Sequence, residues 1–280
     1  MTTKNISVLG CGWLGLALAS KLVELGHQVK GSTTSHSKID ILKKYSIKPY
    51  IISFPFDSNP SHLVDFFRSD FLIINIPPKS KTQIGKIYLE AIEQIVKEIE
   101  QSDIKKLIYI SSTSVYKDLD RVVVEEDCTS IQQSGNELLF QAEELIRNID
   151  KQEIIILRCA GLVGYERMLV KFFAGKKNIE GGNSPVNLIH RDDVISIIIK
   201  LLEHPLENMT LNICSPIHPS RAEFYTHEAL KYGFQEPNFN TEDHMSYKEI
   251  GVEKLLNTIG YSFIFPDPLN FAYGKDDFKI

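Results

Sequence analysis

Residues 6 to 15 read ISVLGCGWLG: an apolar run, then glycines at positions 10, 12 and 15. A helix-forming stretch, Trp13–Leu25, starts inside that spacing, and Gly26 suits its C-terminal cap. Few arrangements accept a strand, a tight turn and a helix in so little chain. Gly10 permits the turn, Gly12 lets the chain's own backbone approach a ligand phosphate, and Gly15 lets helix and strand pack closely. The first turn of such a helix presents unpaired N–H groups to an anion. A glycine turn with no ligand would share the pattern. Its position after an N-terminal strand and before a helix favours a dinucleotide pyrophosphate. Gly10, Gly12, Trp13, Leu14 and Gly15 are therefore the predicted phosphate-contacting residues.

Strand-like and helix-like segments then alternate. The strands read at Asn5–Leu9, 27–32, 50–54, 70–76, 106–111 and 153–158. Helices read at 13–25, 37–45, 61–67, 82–101 and from Ser134 onward, where Glu137 would complete a capping box. Strands as apolar as DFLIINI, which ends at Pro77-Pro78, imply a parallel sheet covered on both faces. The expected fold is α/β: a doubly wound, Rossmann-type parallel sheet over residues 1–165, with a smaller C-terminal α/β lobe over residues 166–280. Late strands are free in this reading to return to the main sheet. Segments at 192–202, 210–214, 221–232 and 246–258 supply the later elements.

The stretch Ile6–Val23 is apolar enough to suggest a signal peptide or membrane span, but three glycines and Lys21 interrupt it. A soluble, cytoplasmic chain is the expectation, with no membrane partner. The net charge of −5, without a basic block, argues against nucleic acid. The four cysteines show no CxxC pair and the eight histidines no ligand spacing, so no metal site is expected.

A site for NAD commonly carries an acid at the end of the second strand. Here that place reads GSTTSHSK, with hydroxyls at Thr33, Thr34 and Ser35 and a cation at Lys38. No carboxylate would repel a 2′-phosphate. NADP is therefore the expected cofactor, with NAD as the alternative; capping of the following helix is the structural alternative for these residues.

The fifth strand runs into ISSTSVY, residues 110–116. With GCGWLG, LRCAGLVG (157–164), NLIHRDDV (187–194), LNICSP (211–216) and the closing GYSFIFP (260–266), it gives an ordered set of motifs. That set resembles the extended short-chain dehydrogenase/reductase superfamily, in its atypical NAD(P)-dependent epimerase/dehydratase-like branch. The resemblance implies an oxidoreductase or epimerase acting on a small polar, sugar-derived substrate. It places the active-site hydroxyl at Ser112 and adds Pro77, Pro78, Ser111, Cys159 and Gly161 to the cofactor-contacting set. It also implies a homodimer through helices 82–101 and 134 onward.

The resemblance breaks at one point. Active members carry Tyr-x-x-x-Lys on the next helix, one face of which presents both side chains. Alignment through QAEELI puts the pair at Gly135 and Leu139, and none of the eleven tyrosines precedes a lysine by four residues. Three readings follow. Tyr116, Tyr165 or His190 could supply the proton, histidine being suited to transfer near neutral pH. The chain could bind NADP(H) only to report redox state, as several atypical relatives do. Or it could transfer hydride with Ser112 and water alone.

Overall fold

The computed structural model describes residues 2–54, 60–77, 84–150, 153–204, 208–242 and 245–275. The apolar runs become a parallel sheet of seven strands. β1 (Asn5–Leu9) sits between β2 (Gln28–Thr33) and β4 (Phe71–Ile74), with β3 (Lys48–Ile51) outside β2. On the other side follow β5 (Lys106–Ser112), then a strand at Glu153–Cys159, then one at Met209–Ile213. With β6 (Arg121–Val123), β8 (Gly161–Val163) and β9 (Leu188–His190), these last two are β7 and β10. The chain winds outward from β1 to β3 and then restarts at β4. The crevice therefore opens at the carboxyl ends of β1 and β4, where open α/β sheets bind ligands.

Side-chain alternation along each strand feeds two layers. Ile73, Ile108, Ile155 and Leu157 pack under α1 (Trp13–Glu24), α2 (Ile39–Lys44) and the helix Arg191–Glu203. Leu72, Ile74, Leu107, Ile154 and Ile156 pack under α3 (Pro60–Phe67), α4 (Ile84–Glu100) and α5 (Glu137–Arg147). The helix Arg191–Glu203 is α6; α7 (Arg221–Tyr232) and α8 (Glu253–Ile259) follow it. The doubly wound parallel sheet expected from the sequence is the fold observed. A third core is built on Val163, Val170, Leu188, Phe224 and Phe271. Of two small parallel pairs, β8 with β9 contributes Val163 and Leu188 to it, whereas β6 with β11 (Lys248–Ile250) buries Val123 and Ile250 in the first layer's core. No helix among the described residues is long and apolar enough to cross a membrane.

Local boundaries differ where side chains compete with the backbone. The helix read from Ser134 starts at Glu137, because Asn136 is its cap, accepting from the Leu139 N–H at 3.3 Å. Ser134 instead donates its hydroxyl to the Val115 carbonyl at 3.1 Å and bridges Tyr116 as extended chain. The segment 246–258 divides into β11 and α8. The cap of α6 is His190, whose Nδ1 accepts from the Asp192 N–H at 3.3 Å.

Candidate functional site

Two cavities of about 470 and 370 Å³ meet at the crevice and share Gly12, Asn75, Ile76 and Pro77. The glycine turn forms their common wall. Gly10 has φ +102°, a left-handed backbone that favours glycine. Its N–H donates to Ser32 Oγ at 2.8 Å, and its carbonyl accepts from Asn75 Nδ2 at 3.0 Å. A Cβ on Gly15 would stand 2.2 Å from that carbonyl, so Gly15 sets how closely α1 crosses β1. A Cβ on Gly12 would meet nothing within 4 Å. The space beside Gly12 is open, as a ligand phosphate requires. Trp13 and Leu14 begin α1 and line the second cavity.

Thr33, Thr34 and Lys38 line the first cavity. Thr33 Oγ1 accepts from the Ser35 N–H at 3.2 Å, while the Ser35 hydroxyl turns away to Ser37 at 2.7 Å. Ser35 is thus not brought to the lining, and Thr34 and Lys38 carry the polar groups at this end. Pro77 lines both cavities; Pro78 lies outside the described residues.

The second cavity gathers Ser111, Ser112, Leu139, Cys159, Gly161 and Arg167. Ser112 Oγ accepts from the Ser114 N–H at 3.1 Å, which leaves its own O–H to donate elsewhere. Ser111 is spent on structure, donating to Glu143 at 2.6 Å. Burial pushes the Cys159 thiol up to about 12, so no thiolate forms there near neutral pH.

The structure does not bring Tyr116 and His190 to the crevice, and both sequence assignments need correcting. Tyr116 donates its hydroxyl to Asn212 at 2.6 Å and receives Arg158 at 2.9 Å, with burial raising its pKa far above the phenol range. His190 is buried with both nitrogens engaged: Nδ1 accepts from Asp192, and Nε2 lies 3.2 Å from the Ala272 carbonyl. Burial lowers its pKa, which suits a neutral ring with Nε2–H donating. Tyr165 donates to the Asp192 carboxylate at 2.9 Å.

Leu139 stands in the cavity wall beside Ser111 and Ser112. Gly135 abuts the chain after β5, where a Cβ would lie 2.6 Å from the Tyr116 carbonyl. Among the described lining residues of both cavities the only charged side chains are Lys38 and Arg167, one in each, both cationic. No cluster of metal-binding side chains occurs among the described residues. Asn75 is the contributor that sequence reading missed; its trace is the lone amide near the end of DFLIINI.

No protein-family model matches the chain. Protein YeeZ of Escherichia coli strain K12 is 33% identical over 269 residues, covering 95% of this chain and 98% of that protein. The UDP-glucuronic acid 4-epimerase of Bacillus cereus, solved with NAD, superposes with a TM-score of 0.77 at 18% identity, covering 96% of this chain and 94% of that one. A short-chain dehydrogenase/reductase superfamily protein of Agrobacterium tumefaciens, also solved with NAD, gives 0.75 at 16% identity over 95% and 94%.

Proposed function

Because this chain belongs to the family of protein YeeZ and has the fold of the extended short-chain dehydrogenase/reductase superfamily, we propose that it binds a nicotinamide dinucleotide, NADP(H) in preference to NAD(H), along the crevice. One observation carries the reading: a cleft at the switch point whose only charged lining side chains, among the described residues, are cations, with open space at Gly12. The glycine turn and the first N–H groups of α1 would hold the diphosphate. Thr34 and Lys38 would receive the 2′-phosphate of the adenosine ribose. Ser111, Ser112, Leu139, Cys159 and Gly161 would surround the far end.

A bound nicotinamide supplies or accepts hydride. Ser112 would hold a substrate oxygen through its unused O–H. The residues after 165 that build the third core, outside the main sheet and α6, would form a substrate lobe beside the crevice, and the substrate would be a small polar molecule of the sugar-derived kind. The B. cereus relative acts on UDP-glucuronic acid, which makes nucleotide sugars the first class to try.

A second reading is favoured by a specific feature. The described lining holds no side chain that exchanges a proton near neutral pH, since Cys159 is raised and Arg167 stays charged. General acid–base help contributes about 10²–10⁴-fold to such reactions. A chain that binds NADP(H) and reports its redox state without turnover fits that lining.

Thermal shifts test the binding: NADPH raises the melting temperature more than NADH at equal concentration, and equal shifts reject the NADP preference. A screen of carbonyl compounds and nucleotide sugars then separates the readings. Turnover that Ser112→Ala slows supports the enzyme; tight NADPH binding with no turnover across the screen supports the sensor.

A further inference from the structure

Among the described residues Arg167 is the one charged side chain that lines the second cavity, and no contact proposed for the dinucleotide uses it. Its guanidinium lies 5.4 Å from the centre of the Trp13 ring. Trp13 is the first residue of α1, so the N–H groups of Trp13, Leu14 and Gly15 have no acceptor within the helix. Arg167 thus faces the start of α1 from across the cavity, supplied by the turn after β8. Its side chain forms no hydrogen bond or ion pair with a described residue. Arg191, on the same ring at 4.8 Å, adds a second positive charge behind Trp13.

Arg167 is exposed, so its guanidinium, without a carboxylate partner among the described residues, can exchange bound water for an anion that enters the cavity. The planar fork offers two parallel N–H donors, which match two oxygens of a phosphate better than an ammonium does. The cation–π contact with Trp13 holds the guanidinium beside the cavity, which reduces the side-chain freedom lost when an anion arrives.

We propose that Arg167 is a diphosphate clamp, closing the second cavity opposite the α1 N-terminus and gripping a diphosphate from the side that the glycine turn leaves open. The inference rests on the dinucleotide reading above and deepens it. Two ligands carry the same chemistry, the dinucleotide itself and a nucleoside-diphosphate sugar, and the position over Trp13 favours the dinucleotide.

Isothermal titration of the full chain with ADP-ribose, AMP and UDP-glucose tests it. ADP-ribose keeps the diphosphate, while AMP keeps only the adenosine side. Arg167→Gln is expected to weaken ADP-ribose by about tenfold or more and AMP by less than about twofold, with Arg167→Lys between wild type and Gln. An unchanged apo melting temperature in Arg167→Gln shows that the fold is intact. Loss confined to UDP-glucose keeps the clamp and moves the diphosphate to the substrate. Wild-type affinity of Arg167→Gln for both ligands overturns the clamp. Wild type that binds neither ADP-ribose nor NADPH overturns the dinucleotide reading, and the clamp with it.

Discussion

Ser111 and Glu143 are joined by a hydrogen bond of 2.6 Å, from the carboxyl end of β5 to the middle of α5. The same carboxylate receives Arg158 at 2.7 Å, and Arg158 goes on to the Tyr116 hydroxyl and to the Glu125 and Cys128 carbonyls. Ser111, Glu143 and Arg158 are all buried. This network occupies the side of α5 that faces β5 and β7, so the helix beside the cleft is tied down by an ion pair.

Glu143→Ala should therefore cost about 3–5 kcal/mol, because it leaves the Arg158 charge buried without its counter-ion. Replacing both, as Glu143→Leu with Arg158→Met, should cost less than Glu143→Leu alone. Urea denaturation of the variants checks the ranking; equal costs would mean the pair is not the energetic unit.

Gly12 and Gly15 should separate binding from folding. A methyl at Gly12 enters open space, whereas one at Gly15 meets the Gly10 carbonyl at 2.2 Å and Asn75 at 2.9 Å. Gly12→Ala should keep the wild-type melting temperature yet lose NADPH binding, since the methyl takes the phosphate's place. Gly15→Ala should melt earlier, by about 1–3 kcal/mol of lost stability, and lose binding as a consequence. Thermal melts with and without NADPH read both; normal binding by Gly12→Ala would remove the phosphate from this turn.

The fold was legible because continuous apolar strands and a glycine-spaced turn are local patterns. DFLIINI and EIIILRC are buried on both faces, and their composition states it. The site was legible only in part. Ser112 ends β5 and Lys38 lies in the short turn after β2, where position suffices to bring them to the crevice. Tyr116 and His190 stand near such ends too, but long-range partners claim them: Asn212 lies 96 residues from Tyr116, and Ala272 lies 82 residues from His190. Sequence spacing carries no trace of those pairings. Asn75 was overlooked because its role is to hold a carbonyl 65 residues away.

Glu228 gives stability a pH dependence. It is buried on α7, and neither carboxylate oxygen has a hydrogen-bond partner among the described residues. His227 Nδ1 lies 3.6 Å away, and Lys231 and Tyr273 also face it. Burial pushes the carboxyl from 4.5 up to about 7. The folded state then holds a proton that the unfolded state releases, so stability is full below about 4.5 and falls as pH rises to about 7. Glu228→Gln should flatten that part of the profile and be the more stable protein at pH 8. Chemical denaturation from pH 4 to 8 measures it; parallel profiles for the two proteins would assign the slope to other groups.

Gly135 and Leu139 decide whether the missing proton-transfer pair can be put back. Leu139 lines the cleft, so Leu139→Lys places an ammonium beside Ser112 at the cost of one buried apolar contact. Gly135 is different in kind. Its N–H donates to the Val115 carbonyl at 2.8 Å, and any Cβ there meets the Tyr116 backbone, carbonyl oxygen at 2.6 Å and carbon at 2.9 Å. Those contacts are backbone, which cannot turn aside as a side chain would. Even Gly135→Ala should cost about 1–3 kcal/mol, and Gly135→Tyr more. The double variant Gly135→Tyr, Leu139→Lys should consequently melt well below wild type and gain no turnover with any carbonyl compound tried. Turnover in the double variant at wild-type stability would show that the 115–117 segment yields readily, and that the pair was lost by substitution alone. Low stability with no turnover would mean that the path of the backbone itself excludes a tyrosine at 135.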